Sequence, residues 1–346
     1  ADELENITDE KGNTVQHLRG NVKFRKGEAT ITAERAYYRN REEIGSFVHN
    51  VRMEEDQKVL TADSVVINSR QDIATSFGNT HFADEEYHLL VDTFIFFMEA
   101  DSGIASGDVE FTQRKQVITA QNLTYTKHPE SGTASYTAQG TVTIREENRE
   151  ATCGKSIFNA EKEMSILLQN PVVIQEGRHK LMGEKIELYY EDDLLHRLVI
   201  PEKAHVLYHA RGKVRQKVEL EDTLVTRYTE EEFVDDMTGS RLEAYLKEGN
   251  LDSMRLEGMA TTLYHLFEDS VYQGQNLASG DTITLLFSSD SSDRQDLEVI
   301  HIVGGARGEY LPDESTEDVD APIVYRADTI RYSIPDQQTQ LYHDAQ

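Results

Sequence analysis

Apolar and polar residues alternate with period two along most of this chain. Val22/Phe24, Val51/Met53 and Val109/Phe111 each straddle one polar residue. The pairs Ala36/Tyr38, Val65/Ile67, Phe94/Phe96, Leu123/Tyr125, Ser156/Phe158, Ile186/Leu188, Leu242/Ala244, Ile283/Leu285 and Ile330/Tyr332 keep the same spacing of two. Seventeen of these 18 positions are apolar or Tyr, where the 38% hydrophobic composition alone gives about 7. Period-two alternation marks a strand with one buried face. Polar turn-forming clusters separate the runs: Arg39-Asn40-Arg41-Glu42, Ser69-Arg70-Gln71-Asp72, Ala100-Asp101-Ser102-Gly103 and Glu248-Gly249-Asn250. No long amphipathic helix is evident, and the best helical candidate is Glu230–Met237.

The alternation belongs to a repeat. A first phrase recurs as Gly20-Asn21-Val22-Lys23-Phe24, His49-Asn50-Val51-Arg52-Met53, Gly78-Asn79-Thr80-His81-Phe82 and Gly107-Asp108-Val109-Glu110-Phe111, a spacing of 29 three times running. It continues at Gly140-Thr141-Val142-Thr143-Ile144 and Asn170-Pro171-Val172-Val173-Ile174, with fainter copies at Glu202-Lys203-Ala204, Gly258-Met259-Ala260 and Gly304-Gly305-Ala306. A second phrase follows each first one: Thr32-Ala33-Glu34, Thr61-Ala62-Asp63, Leu90-Val91-Asp92, Thr119-Ala120-Gln121, Thr152-Cys153-Gly154 and Met182-Gly183-Glu184, later Ser279-Gly280-Asp281 and Arg326-Ala327-Asp328. Between these we align Gly239-Ser240, with Glu221-Asp222 as the competing choice. One repeat has too little core to fold alone, whereas stacked repeats bury a continuous apolar interior. The pattern therefore predicts an all-β protein of about nine repeats of ~29 residues, each a two-strand hairpin. It predicts a lead-in segment over 1–19 and a single repeat-built body over 20–346. That body has clear repeats over 20–200, an insertion at about 211–238 and fainter repeats over 239–346. At ~4.8 Å between strands such a body is ~90 Å long.

Composition narrows the function classes. Acidic residues outnumber basic ones 63 to 35, a net charge of −28. That excess disfavours nucleic acid, which requires a Lys/Arg face, and docking on an anionic membrane through a basic patch. It suits a solvent of high ionic strength, where self-repulsion is screened. No apolar run approaches the length of a transmembrane helix. The single cysteine, Cys153, excludes an internal disulfide and a Cys-based zinc site. It takes an anchor position that is Ala in other copies, which reads as a small buried residue.

The two-phrase period resembles the OstA-like repeat. That family includes periplasmic lipopolysaccharide-transport proteins of the LptA type and the periplasmic part of LptD, and the likeness is close over 20–175 and weaker over 202–346. The resemblance implies a twisted antiparallel β-jellyroll, or V-shaped β-trough, sheltering lipid acyl chains. It also implies no catalytic residues, and nothing in the sequence points to a cofactor or a metal. The groove residues it points to are Val22, Phe24, Val51, Met53, Val65, Ile67, Phe82, Phe94, Phe96, Val109, Phe111, Leu123, Tyr125, Ile144, Phe158, Ile174, Ile186 and Leu188. The implied partners are lipopolysaccharide or a related lipid, and other transport-bridge proteins joined by end-to-end strand pairing. The implied location is the periplasm, after removal of a signal peptide, in association with the outer membrane. Ala1-Asp2 is compatible with a cleavage site and equally with a boundary chosen by hand. The last residues, His343-Asp344-Ala345-Gln346, fall where a further first phrase is due.

Periodicity alone does not separate an open trough from a filled core, so two other classes stand beside this one. They are a structural or adhesive β-solenoid and a polysaccharide-processing β-solenoid enzyme. The residue after each second anchor is acidic in Glu34, Asp63, Asp92, Glu184, Asp281 and Asp328. These read as strand starts or turns, or as a row of weak cation sites. His205 and His209 share one face of a strand-like run, and His81 and His88 could meet across a hairpin. Neither pair has a third ligand at a typical spacing. Asp290, Asp293 and Asp296, and the acids of Asp313–Asp320 beside Thr316, lack the glycine and terminal Glu of a calcium loop. No pair of carboxylates stands out for glycoside chemistry, and no nucleophile elbow, phosphate loop or dinucleotide fingerprint occurs.

Overall fold

In a computed structural model, all residues are described except 9–13, 86, 114, 129–133, 221–222, 249, 289–296, 315–320 and 337. The acidic loop containing Asp290, Asp293 and Asp296, and most of Asp313–Asp320, lie outside the described residues. So does Glu221-Asp222. The described residues are almost entirely β-strand and contain no helix. The chain divides into two compact units, Ala1–Ser165 and Ile166–Gln346.

The first unit runs β1 (Glu3–Thr8), β2 (Thr14–Lys26), β3 (Ala29–Arg39), β4 (Ile44–Glu55), β5 (Lys58–Asn68), β6 (Ile73–Ala83), β7 (Tyr87–Phe97), β8 (Ser102–Gln113), β9 (Gln116–Lys127), β10 (Ala134–Glu146) and β11 (Arg149–Asn159). Each strand pairs antiparallel with the next. β12 (Met164–Leu168) straddles the boundary. The second unit contains β13 (Val172–Gln175), β14 (His179–Met182), β15 (Lys185–Glu191), β16 (Leu194–Ile200), β17 (Ala204–Leu220), β18 (Thr223–Gly239), β19 (Arg241–Lys247), β20 (Asn250–Glu268), β21 (Val271–Phe287), β22 (Leu297–Pro312), β23 (Ile323–Ser333) and β24 (Gln338–Tyr342).

The first phrase is a β-bulge. Its two leading residues both take left-handed conformations: Gly20 and Asn21 (φ 69° and 44°), His49 and Asn50 (66° and 51°), Gly78 and Asn79 (70° and 43°), Gly107 and Asp108 (84° and 40°), Gly140 and Thr141 (78° and 45°). Pairing slips at each one, for instance between Val48 and Val51 and between Phe77 and Thr80. Left-handed backbone favours Gly, Asn and Asp, which is why the phrase begins as it does. The second phrase supplies the neighbour. Asn21 donates to Asp2 Oδ2 at 3.1 Å, Asn50 to Glu34 Oε1 at 2.6 Å and Asn79 to Asp63 Oδ2 at 3.0 Å. The recurrent acids are therefore bulge partners, and Asp2 extends the series into the segment expected to be a mere lead-in.

The second unit keeps the device. Lys203, Gly258/Met259 and Gly304/Gly305 are left-handed. Ser240 N–H and Oγ–H both donate to Gly258 O, at 3.1 and 3.0 Å, so Gly239-Ser240 does the work of a second phrase. His343 and Asp344 are left-handed as well (56° and 44°), and Asp328 N–H donates to His343 O at 3.1 Å.

Two sequence expectations are corrected. Glu230–Met237 is strand, not helix: it lies in β18, which pairs residue for residue with β17 from Ala204↔Gly239 to Leu220↔Thr223. Long-range pairing overrides the helix preference of the glutamates. The insertion at 211–238 is most of this hairpin. The sixth first phrase is also shifted by one residue. Its left-handed pair is Gln169/Asn170, so Pro171 and Val173 are buried and Ile174 is only half-buried. A one-residue slip moves every side chain to the opposite face.

Gly78 tests the bulge. A Cβ there would sit 2.4 Å from Asp63 Oδ2 on backbone at φ +70°. Gly78→Ala is expected to lower stability by ~1–2 kcal/mol from backbone strain alone, and more from the clash. In the Asp63→Ala background the same change costs less, because the clash is gone. Urea midpoints of the four proteins check this.

Candidate functional site

In the first unit the sheet folds onto itself at the line of bulges. Phe82 lies opposite Leu89, while Phe94 lies opposite Ser76. On a flat sheet six residues along β6 separate those two places by ~20 Å, yet the Phe82 and Phe94 rings have centroids 5.2 Å apart. Tyr87 is opposite Gln113 and Tyr125 opposite Gly103, ten residues apart along β8, about 33 Å if flat. Their hydroxyls are 3.3 Å apart. Each strand thus contributes to two facing walls, which is the geometry of a trough.

The interior is aromatic. Phe82 touches Phe94, Phe96 and Tyr87 at 5.2, 5.1 and 6.0 Å between centroids. Tyr125 lies 5.2 Å from Tyr87 and stacks with Phe94 and Phe111, both at 6.2 Å. Gly103 makes this possible, because a Cβ there would strike Phe94 at 2.4 Å and Tyr125 at 2.7 Å. Burial in apolar surroundings pushes the phenols of Tyr87 and Tyr125 well above the usual tyrosine range.

Of the eighteen positions singled out above, Val22, Val51, Met53, Val65, Ile67, Phe82, Phe94, Phe96, Val109, Phe111, Leu123, Tyr125, Ile144, Ile186 and Leu188 are buried. Phe24, Phe158 and Ile174 are half-buried. All but the last three of the eighteen belong to the first unit; Ile174, Ile186 and Leu188 belong to the second. Sequence reasoning missed an equal contribution from positions two before each second anchor: Ile31, Leu60, Leu89 and Ile118, all 2% exposed or less. The signal was there, since the same alternation extends backward through the phrase. Tyr87, fully buried at the start of β7, was also missed.

Two ion pairs join the walls at their rims. Lys58 Nζ lies 2.8 Å from Asp101 Oδ2, and Lys127 Nζ lies 2.8 Å from Asp84 Oδ2. Lys58 also sits over Phe96, 5.6 Å from the ring centroid, and Lys127 over Tyr87 at 5.7 Å. Met53, Leu60, Phe82 and Phe96 line an apolar notch beside Lys58 and Glu55.

The second unit has its own buried side chains, more hydroxylated. Asn276 Nδ2 donates to the hydroxyls of Tyr264 at 2.9 Å and Tyr325 at 2.6 Å. Burial pushes Tyr332 up to about 12. The histidines singled out above pair with acids: His205 with Asp236 at 3.0 Å and His209 with Glu232 at 3.3 Å. The rings of His81 and His88 lie 6.1 Å apart. Among the described residues no three His, Cys, Asp or Glu side chains converge as a metal site. Cys153 is buried.

His179 gives a pH signature to the second unit. It stacks on Tyr208 at 4.2 Å, and its Nδ1 accepts from the His209 N–H at 3.1 Å, which requires that nitrogen unprotonated. Burial, reinforced by Arg178 and His209 and opposed by Glu176, lowers its pKa from 6.5 to about 4. The unfolded chain therefore binds a proton that the folded chain refuses. This contribution to stability is complete above pH 6.5 and lost as pH falls towards 4. The denaturation midpoint is expected to fall more steeply over that window in the native chain than in His179→Phe, as urea titrations from pH 7 to 4 would show.

Comparison with known proteins places this geometry. Residues 2–121 match the family described as OstA-like protein. Residues 91–194 match the family described as LptA/(LptD N-terminal domain) LPS transport protein. Among solved structures, LptH from Pseudomonas aeruginosa, described as the LptA-homologous periplasmic component of the conserved lipopolysaccharide transport device, aligns at 17% identity. That alignment covers 38% of this chain and 74% of LptH, with a TM-score of 0.19. No curated relative matches.

Proposed function

We propose, from the OstA-like match over residues 2–121 and the LptA/LptD N-terminal match over 91–194, that this chain is an OstA-like lipopolysaccharide-transport protein, a non-enzymatic carrier that holds lipid acyl chains between the two walls of its folded sheet. The observation that carries the reading is the folding of the sheet at the bulges, which turns alternate side chains of the first unit into one apolar interior. Val65, Phe94 and Phe111 are 0% exposed there. An acyl chain needs a dry apolar lining and no catalytic group.

The interior as it stands is packed, so loading requires the walls to part. The rim ion pairs Lys58–Asp101 and Lys127–Asp84 resist that motion, and the notch at Met53, Leu60, Phe82 and Phe96 is the place where an alkyl tail first finds apolar surface. The carrier works in the periplasm, towards the outer membrane. It passes its load to like-folded partners by strand pairing.

A photo-crosslinking residue at Phe96 or Phe111 is expected to capture lipopolysaccharide, while one at Lys23 or Arg52, both exposed, captures none. Equal labelling of the two faces would overturn the carrier reading in favour of a structural β-solenoid with a permanently filled core. The ion pairs have their own test. Lys58→Ala with Lys127→Ala removes two restraints on the closed form and is expected to tighten binding of a fluorescent fatty acid a few-fold. The ligand then pays less to select the parted state. Unchanged or weaker binding would show that the pairs do not hold the walls shut.

A further inference from the structure

The outer side of the first unit is charged unevenly. The wall that carries Phe47, Val65, Phe94 and Leu123 turns those side chains inward, where they are buried, so the residues between them point outward. Pairing aligns one outward residue per strand across β4–β10: Ser46, Val66, Thr75, Ile95, Ile104, Thr124 and Thr137. The positions two residues to either side on each strand complete a face of 21 residues, all exposed or half-buried. None of the 21 is Asp, Glu, Lys, Arg or His, whereas the 28% charged composition gives about six.

The other wall of the same seven strands is the control. Starting from Arg52 and Glu54, cross-strand partners give 14 outward positions there. Arg52, Glu54, Glu110 and Arg145 are charged, the proportion that composition gives. The strands that flank the uncharged face restore charge at once, β3 with Arg35 and Arg39 and β11 with Lys155.

Apolar side chains occupy the centre of the face. Ile73, Phe77, Ile95, Phe97 and Ile104 take five of the nine outward positions on β6–β8, and Phe77 and Ile104 are 43% and 37% exposed. On β9 and β10 the outward residues are Thr, Ser, Asn and Gln alone. An apolar centre with a polar, uncharged border is the anatomy of a protein–protein contact.

We propose that this face packs against the same face of a second copy, sheet on sheet about a two-fold axis. Seven strands ~4.8 Å apart, each with three outward residues ~6.7 Å apart, cover about 670 Å². Two copies then bury ~1,300 Å², within the ~1,200–2,000 Å² of specific interfaces. Charge selects the partner. Two chains at −28 repel, and a carboxylate buried between them without a cation is strongly disfavoured; this face joins them with no carboxylate in the contact. A membrane fits less well, because the face has no Lys or Arg for anionic headgroups and no Trp or Tyr for the interfacial layer. The face lies on the far side of the wall from the apolar interior, so the pairing stands independently of the carrier reading.

Sedimentation of the full chain over a range of protein and salt concentrations tests this. The native chain is expected to pass from one copy to two and stop there, with the pair tightening as salt screens the repulsion. Phe77→Lys/Ile104→Lys is expected to raise the dissociation constant at least ~100-fold, because each lysine is buried without a partner. It also lowers the net negative charge, so added repulsion does not explain the loss. Phe77→Thr/Ile104→Thr only trims apolar surface and is expected to weaken the pair several-fold. Leu90→Lys, at a position 44% exposed on the other outer wall, leaves it intact. Circular dichroism confirms that the variants fold. A chain that stays single under every condition overturns the proposal, as does a pair that survives the double Lys variant or is lost equally in Leu90→Lys. Growth past two copies overturns it in favour of the strand edges, which add copies without closing. Flotation with phosphatidylcholine vesicles, lost in the double Lys variant and seen without self-association, overturns it in favour of membrane docking.

Discussion

The left-handed two-residue bulge is the constraint on which the rest depends. A sheet of ordinary strands would twist but stay open, with one apolar face exposed along its length. Placing two consecutive left-handed residues in the middle of alternate strands bends the sheet along a line, because each bulge falls opposite a second phrase on the strand between and the bulges line up across the sheet. Two halves of one apolar face then meet. Left-handed backbone costs roughly 1–2 kcal/mol per non-glycine residue. That cost recurs at His49, Asn50, Asn79 and Thr141, so something must offset it. Part comes from the Asn–carboxylate bonds across the bend, which fix the bulge in place. The larger part is the apolar surface that the fold removes from water, at about 25 cal/mol per Å².

This constraint also decides which parts of the architecture were legible in the sequence. Gly-Asn and Gly-Asp in mid-strand, with an acid on the neighbouring strand, are local signals, and they revealed the period and the strand boundaries. Where the bulge lacks glycine the signal fades. Gln169/Asn170 was placed one residue off although Pro171 marks it: a proline ring fixes φ near −65°, so the left-handed pair has to end at Asn170. Glu230–Met237 misled for a different reason. Its acids have helical preference, and the partner that makes them a strand lies in β17, up to about 30 residues away. The facing of the walls could not be read at all. Period two assigns Phe82 and Phe94 to one face of a sheet, but not to opposite sides of one interior; that follows from a bend in three dimensions.

The interior and its rims set opposing requirements. Phe82, Phe94, Phe96, Phe111 and Tyr125 interlock because Gly103 leaves room, and such packing stabilises the closed form. A carrier whose walls were fused by hydrophobic contact alone would open only at a cost near that of unfolding. Ion pairs at the rim are a softer restraint. Lys58, Asp101 and Lys127 remain partly exposed, so water replaces their partners when the walls part. Their flexible stems lie over Phe96 and Tyr87 and shield the aromatic edge meanwhile. The rim pairs thus add only a modest, water-relieved restraint to the larger cost that the core sets on separating the walls.

Charge completes the argument. A chain at −28 repels both its own copies and any anionic lipid, and beyond a Debye length of about 8 Å in physiological salt that repulsion fades. Approach therefore costs little until contact, when the local surface decides the outcome. At the strand edges contact means backbone hydrogen bonds, which are indifferent to net charge.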